Sequence, residues 1–134
     1  MKGIFTISFL LITALGLGQK AVFSPKNTVV KFPKVQEGKI LNYIFEFTNT
    51  GQISLEFYAY EVECSCTAVT LPKVPIAPGQ QGRIEVSFDT NGKYYFQDRI
   101  INLETNTKRK HEKLRIKVYV EPKPITEPTP EKGN

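Results

Sequence analysis

The sequence predicts an all-β protein: an antiparallel β-sandwich of about seven strands, preceded by a signal peptide and followed by a proline-rich tail. Short segments rich in Val, Ile, Phe and Tyr alternate between apolar and polar residues with a period of two. Asn, Gly and Pro separate these segments, and no apolar stripe with a helical period follows residue 18. The 134 residues, of which 40% are hydrophobic, can supply the core of one such domain.

Residues 1–18 have the layout of a secretory signal peptide. Lys2 supplies a positive start, residues 4–17 are mostly apolar, and small residues precede two possible cleavage points, after Gly16 or Gly18. An apolar stretch of 14 residues is shorter than the about 20 that a membrane-spanning helix needs, so we expect cleavage and no transmembrane span afterwards. No cysteine adjoins the cleavage zone, so a lipid anchor is not expected. We therefore predict a periplasmic or secreted protein, in which disulfides persist and nucleic acid is no partner.

Residues 19–120 form the predicted sandwich. The alternating segments, which we predict to be strands, are 29–32, 42–48, 55–60, 83–89, 99–103 and 114–120, with Leu55, Phe57 and Ala59 sharing one face. Prolines exclude a central strand from Leu71–Gly82, where Ala77–Gln80 forms a turn. This pattern predicts an immunoglobulin-like architecture, although the Cys, Trp, Cys pattern of antibody domains is absent.

Residues 121–134 form the predicted tail. Four of these 14 residues are proline and only Ile125 is strongly apolar. The segment therefore cannot bury enough apolar surface to offset the conformational entropy lost on ordering. We expect an extended, solvated tail. A proline-rich ligand for a partner is the alternative.

Several motifs of the central region resemble those of the DUF1573 family, which comprises exported bacterial proteins of unknown function common in Bacteroidota. They are Phe45–Gly51, Val62–Thr67, Pro75–Gly79, Ile84–Thr90 and Thr105-Asn106. The resemblance spans Val29–Val120 and implies an immunoglobulin-type sandwich related to ASPM/SPD-2/Hydin domains, together with export. It implies no established activity. Ser65 stands where the family often has Gly between two cysteines.

Cys64 and Cys66 are the candidate functional residues. On a flat strand their Cα atoms would lie about 6.6 Å apart, at the edge of the range of about 4.4–6.8 Å that a disulfide tolerates, and a turn at Ser65 would shorten this distance. Three interpretations stay open: a structural pair, a thiol redox pair, and a site for Cu(I) or another soft metal with His111 as a third ligand. The usual redox pair, Cys-x-x-Cys at a helix start, is absent.

Two surface features have both a structural and a functional interpretation. The cations Lys108, Arg109, Lys110 and Lys113 fit a solvated hairpin loop, or else a patch for an anionic or acidic partner. The run Tyr94–Phe96 follows a turn, and its three adjacent rings cannot all face inward on a strand. At least one ring should therefore be exposed.

The composition favours binding over catalysis. With one histidine and no nucleophile set or phosphate loop, we expect no enzyme and no cofactor. A net charge of +5 is too small to indicate nucleic-acid binding. We therefore predict a non-catalytic module for protein interaction or scaffolding, with an unknown protein partner in the cell envelope. The alternative is a thiol redox or Cu(I)-handling protein that uses the two cysteines.

Overall fold

The computed structural model of the chain describes residues 18–126, so the predicted signal peptide, apart from Gly18, and the tail beyond residue 126 lie outside it. The described residues form nine strands and no helix, and thus none that could cross a membrane. The strands are β1 Phe23–Pro25, β2 Val29–Lys31, β3 Val35–Gln36, β4 Ile40–Asn49, β5 Phe57–Val62, β6 Thr67–Thr70, β7 Gln81–Asp89, β8 Tyr95–Thr105 and β9 His111–Glu121. The all-β prediction is confirmed.

The strands form two sheets that pack as a sandwich. The first sheet has the order β1-β4-β7-β6, and the second has the order β2-β9-β8-β5, with β3 also paired to β9. All pairings are antiparallel except those of β2 and β3 with β9, which are parallel. The predicted immunoglobulin-like antiparallel sandwich is therefore confirmed.

The segment before β4 contributes to both sheets. It pairs with β4 through β1, crosses over, and then runs parallel to β9 through β2 and β3. Pro33 lies between β2 and β3, and because proline has no N–H, the ladder cannot continue through it. The two pieces are thus one interrupted edge of the second sheet.

The core lies between the two sheets and is filled by alternate residues of the four long strands. Its largest fully buried aromatic side chains, Phe45, Phe47 and Phe88, come from the first sheet. The facing sheet contributes aliphatic side chains from β8 and β9, namely Ile101, Leu103, Leu114, Ile116, Val118 and Val120. These are the positions that the period-two pattern predicts to share a face.

The structure differs locally from the prediction, and strands β1 and β3 as well as β6 were not predicted. Residues Thr67–Thr70 form β6, which the sequence pattern does not reveal because the strand has only four residues. The expected common face of Leu55, Phe57 and Ala59 is wrong, because a bulge between Phe57 and Ala59 leaves Ala59 exposed, opposite Glu104. Strand β9 also includes Glu121, one residue beyond the predicted domain end.

Candidate functional site

The two cysteines form a disulfide at a turn between the sheets. Cys64 and Cys66 are bonded to each other, with their Cα atoms 5.2 Å apart. The turn is closed by the Thr67 N–H, which donates to the carbonyl oxygen of Cys64 at 3.2 Å. It leads from β5 in the second sheet to β6 in the first. The chain departs from a flat strand here by a turn, which shortens the Cα–Cα distance as expected, with Ser65 exposed at its tip.

The surroundings of the disulfide combine apolar packing with one cation. Cys66 is half-buried against the core. Arg99 of β8 lies 3.7 Å from the carboxylate of Glu63, and its guanidinium group lies 5.9 Å from the centre of the Phe88 ring. Arg99 also donates a hydrogen bond of 2.6 Å to Gln97. A cation is thus fixed next to the residue that precedes the disulfide.

His111 is not placed to join the cysteines as a metal ligand. It lies opposite Glu104 on the second sheet, whereas the strand that leads into the cysteines ends at Val62, opposite Ile101. The cysteines continue away from His111 along this sheet. Among residues 18–126 there is no group of three His, Cys, Asp or Glu side chains that could hold a metal ion.

The basic residues lie at the hairpin that connects β8 to β9. Lys108, Arg109 and Lys110 are exposed in its turn, and Lys113 is exposed on β9. The turn is closed by the Thr105 N–H, which donates to the Lys110 carbonyl oxygen at 2.8 Å. None of the four cations forms a salt bridge with another described residue. The structure thus places three of them in a solvated turn and Lys113 on the adjoining strand.

Strand β6 is a free sheet edge that sequence analysis missed. Among residues 18–126 it pairs only with β7, and the Asp89 N–H donates to the Cys66 carbonyl oxygen at 2.8 Å. In an antiparallel ladder such hydrogen-bonded pairs alternate, so Ala68 and Thr70 also bond to β7. The N–H and C=O of Val69 therefore point away from β7, toward the free edge.

The other three sheet edges carry features that oppose strand addition. Strand β1 has three residues and ends at Pro25. The edge formed by β2 and β3 is interrupted by Pro33. Strand β5 contains the bulge after Phe57 and carries the charged Glu61. Proline, bulges and charges are the devices by which natural sheets block edge pairing. Strand β6, with the sequence Thr-Ala-Val-Thr, has no proline, bulge or charge, although with four residues it is short like β1.

An open depression of about 610 Å³ lies on the outer face of the first sheet beside this edge. Side chains from three neighbouring strands face it, all of them small or polar except Ile44, in two cross-strand rows: Asn42, Ser87 and Ala68, then Ile44, Glu85 and Thr70. Because Ala68 and Ser87 are short, the surface is recessed next to β6. A segment added at the edge could place side chains here.

The other motif residues hold loops together. The side chain of Asn49 is fully buried and makes four hydrogen bonds to main-chain groups. Thr90, also fully buried, donates from its hydroxyl to the Lys39 carbonyl oxygen at 2.7 Å. Asn106 accepts a hydrogen bond of 2.9 Å from the Glu56 N–H. These residues tie distant loops to the sheets.

Comparison with known proteins agrees with this architecture. The sequence profile described as "Protein of unknown function (DUF1573)" matches residues 23–120. The chain belongs to the DUF1573 family. The match includes the disulfide turn, strand β6 and the Asn49 loop. No curated protein matches the sequence.

Solved structures with the same fold come from distant proteins. A protein of unknown function from Porphyromonas gingivalis W83 superposes with a TM-score of 0.67 at 15% identity, covering 81% of this chain and 51% of its own. The PapD-like domain 7 of human CEP192 gives a TM-score of 0.54 at 11% identity, covering 90% of this chain and 98% of its own. The VesB protease of Vibrio cholerae gives a TM-score of 0.55 at 15% identity, covering 76% of this chain and 32% of its own. This DUF1573 chain therefore spans about half of the Porphyromonas protein, and at these identities the similarity shows the fold alone.

Proposed function

We propose that this DUF1573 chain is an exported, non-catalytic interaction module, and that it binds an extended segment of a protein partner as an added strand at β6. The observation that carries the proposal is the free β6 edge, with the outward N–H and C=O of Val69 beside the recessed surface at Ala68. In β-strand addition, main-chain hydrogen bonds supply affinity and pockets for alternate side chains supply specificity. Both elements are present here.

The size of the edge sets the expected strength of binding. Val69 offers one donor and one acceptor. Thr67 offers only its carbonyl as a second acceptor, because its N–H is already bonded to Cys64. Three hydrogen bonds at about 1 kcal/mol each cannot alone overcome the cost of association. The partner must therefore also fill the depression with side chains, and this makes binding selective.

Export rests on the predicted signal peptide of residues 1–18 and on the disulfide. Disulfides persist in the periplasm and outside the cell, whereas they are rare in the cytosol. The cell envelope or the extracellular medium is accordingly the compartment in which we place the module and its partner.

The test compares two exposed alanines on the edge strands of the two sheets. Ala68→Lys puts a long cation on β6 and into the depression, while Ala59→Lys puts the same group on β5. Both purified variants and the wild type are used to capture proteins from an envelope extract. We expect a captured protein that is lost with Ala68→Lys and retained with Ala59→Lys. Equal capture by both variants, or loss with Ala59→Lys alone, would contradict binding at β6.

The second candidate function is a thiol redox activity, favoured by the disulfide at Cys64 and Cys66 with Arg99 nearby. A cation stabilises a thiolate. Equilibration with glutathione buffers separates the two functions. A redox pair would be half-reduced at roughly −180 to −270 mV, whereas a structural disulfide in an exported protein would stay oxidised to below about −300 mV.

A further inference from the structure

A second surface, distinct from the β6 edge, presents four aromatic side chains to solvent. The four are Tyr94 just before β8, Tyr95 and Phe96 at its start, and Tyr119 near the end of β9, and they are 49%, 60%, 62% and 42% exposed. Phe96 lies directly opposite Tyr119 in the ladder, and the ring centres of Tyr95 and Tyr119 are 6.4 Å apart. Clustered exposed rings mark binding surfaces more often than single ones do. We name this set the aromatic cluster.

The backbone holds these rings outward. Residues Tyr95 and Phe96 are consecutive and yet both exposed, which an ordinary strand does not allow. Tyr95 has a φ of 64°, in the left-handed region that aromatic residues disfavour. The side-chain amide of Gln97 donates to the Tyr94 carbonyl oxygen at 2.6 Å and fixes the turn. A disfavoured conformation kept by the fold is a signal of function.

A depression of about 320 Å³ lies beside the aromatic cluster. Phe96 and Tyr119 line it, together with Phe32 and the cations Lys31 and Lys117. Its volume is at the lower end of the range of about 300–1,000 Å³ in which small-ligand sites fall. Its walls are therefore aromatic and cationic, and it can hold a compact group with an apolar face.

Positive charge is in excess at this depression. Lys31 forms no salt bridge with any residue between 18 and 126. Lys117 lies 3.7 Å from the Asp98 carboxylate, which also lies 3.3 Å from Arg115. The Asp98 carboxylate is thus shared by Arg115 and Lys117, while Lys31 has no carboxylate partner among the described residues. The surface is complementary to an anion.

We propose that the aromatic cluster and the adjoining lysines bind an acidic polysaccharide. A sugar ring has a face of C–H groups that packs on Phe96 and Tyr119, and a uronic acid carries the carboxylate that pairs with Lys31 and Lys117. The exposed rings and the two lysines adjoin one another, so a single sugar acid can contact both. The ligand chemistry is therefore that of a sugar acid.

Titration with a hexamer of galacturonic acid, followed by NMR, tests the proposal. We expect saturable shifts at the aromatic cluster, about tenfold weaker binding for Phe96→Ala, and weaker binding for Lys31→Gln. Binding should also weaken as salt rises, since the ion pairs are exposed. The control is Tyr58→Ala on β5, whose ring is 59% exposed, and its affinity should match the wild type.

Four outcomes would overturn the proposal. If the hexamer produces no saturable shift, this ligand class is excluded. Equal binding of neutral maltohexaose would exclude recognition of charge. Co-sedimentation with phosphatidylglycerol vesicles in the absence of hexamer binding would identify a membrane surface instead. Tyr58→Ala weakening the affinity as much as Phe96→Ala would exclude the location.

Discussion

Replacing Asn49 with alanine should destabilise the fold more than any other single polar substitution among the described residues. Its side-chain oxygen accepts from the N–H groups of Val22 and Gly51 at 3.3 and 2.9 Å, and its amide donates to the carbonyl oxygens of Ile53 and Ile76 at 2.7 and 2.9 Å. All four hydrogen-bonding sites of the amide are thus used. The residue connects the segment before β1, the turn after β4 and the loop before β7.

The expected loss of stability depends on whether each main-chain group that loses its bond to Asn49 has another hydrogen-bonding partner or access to water. The Ile76 carbonyl is buried but keeps its hydrogen bond from the Leu55 N–H at 2.8 Å, and the other three groups are more accessible, so each of the four groups costs about 1 kcal/mol. The sum is about 4 kcal/mol. This is a large part of the about 5–15 kcal/mol by which a domain is stable, and it corresponds to a fall in Tm of about 20 °C.

Urea unfolding monitored by circular dichroism measures this change. The matched control is Asn42→Ala on the same strand, because Asn42 is exposed and its loss should change the free energy of unfolding by less than about 0.5 kcal/mol. A loss below about 1 kcal/mol for Asn49→Ala, or an equal loss for both variants, would refute the assignment of Asn49 as the residue that joins these loops.

Three further substitutions test other parts of the structure. Gly51→Ala should destabilise by more than about 2 kcal/mol, measured by thermal unfolding, because a Cβ there would collide with the backbone of Lys20; unchanged stability would contradict that close approach. Replacing Cys64 and Cys66 by alanine should cost only about 1.6 kcal/mol in the same assay, since the closed loop has three residues; complete unfolding would contradict this. The hydrogen bond and charge of Lys26 lower the pKa of the Glu46 carboxyl below its ordinary value of 4.5. The ion pair therefore stabilises the fold above pH 4.5 and is lost as pH falls through the lowered pKa, and NMR titration should show that pKa rising in Lys26→Gln; an unchanged pKa would exclude the pairing.

The long strands could be predicted from sequence because each buries one face. Strands β4, β7 and β9 have enough residues for the period of two to be unmistakable, and Phe45, Ile84 and Leu114 fall on their buried faces as expected. Strands β1, β3 and β6 have only two to four residues, too few to show a period. Their assignment depends on partners that are distant in sequence.

The candidate sites were predictable to different degrees. The spacing of Cys64 and Cys66 was visible, and so was the shorter Cα–Cα distance that a turn between them would give. The β6 edge was not visible, because an edge is defined by the absence of a neighbour and local sequence does not encode it. The sequence required one exposed ring in Tyr94–Phe96, and the structure exposes all three because of the left-handed backbone at Tyr95.

Hydrogen exchange at Val69 tests strand addition most directly. In the free protein its N–H points to the open edge and should exchange fast, whereas the N–H groups of Ala68 and Thr70 bond to β7 and should exchange slowly. When the captured partner is added, the exchange of Val69 should slow while its two neighbours change little. Bound partner with unchanged exchange at Val69, or protection confined to the hairpin at Lys108–Lys110, would contradict binding at β6.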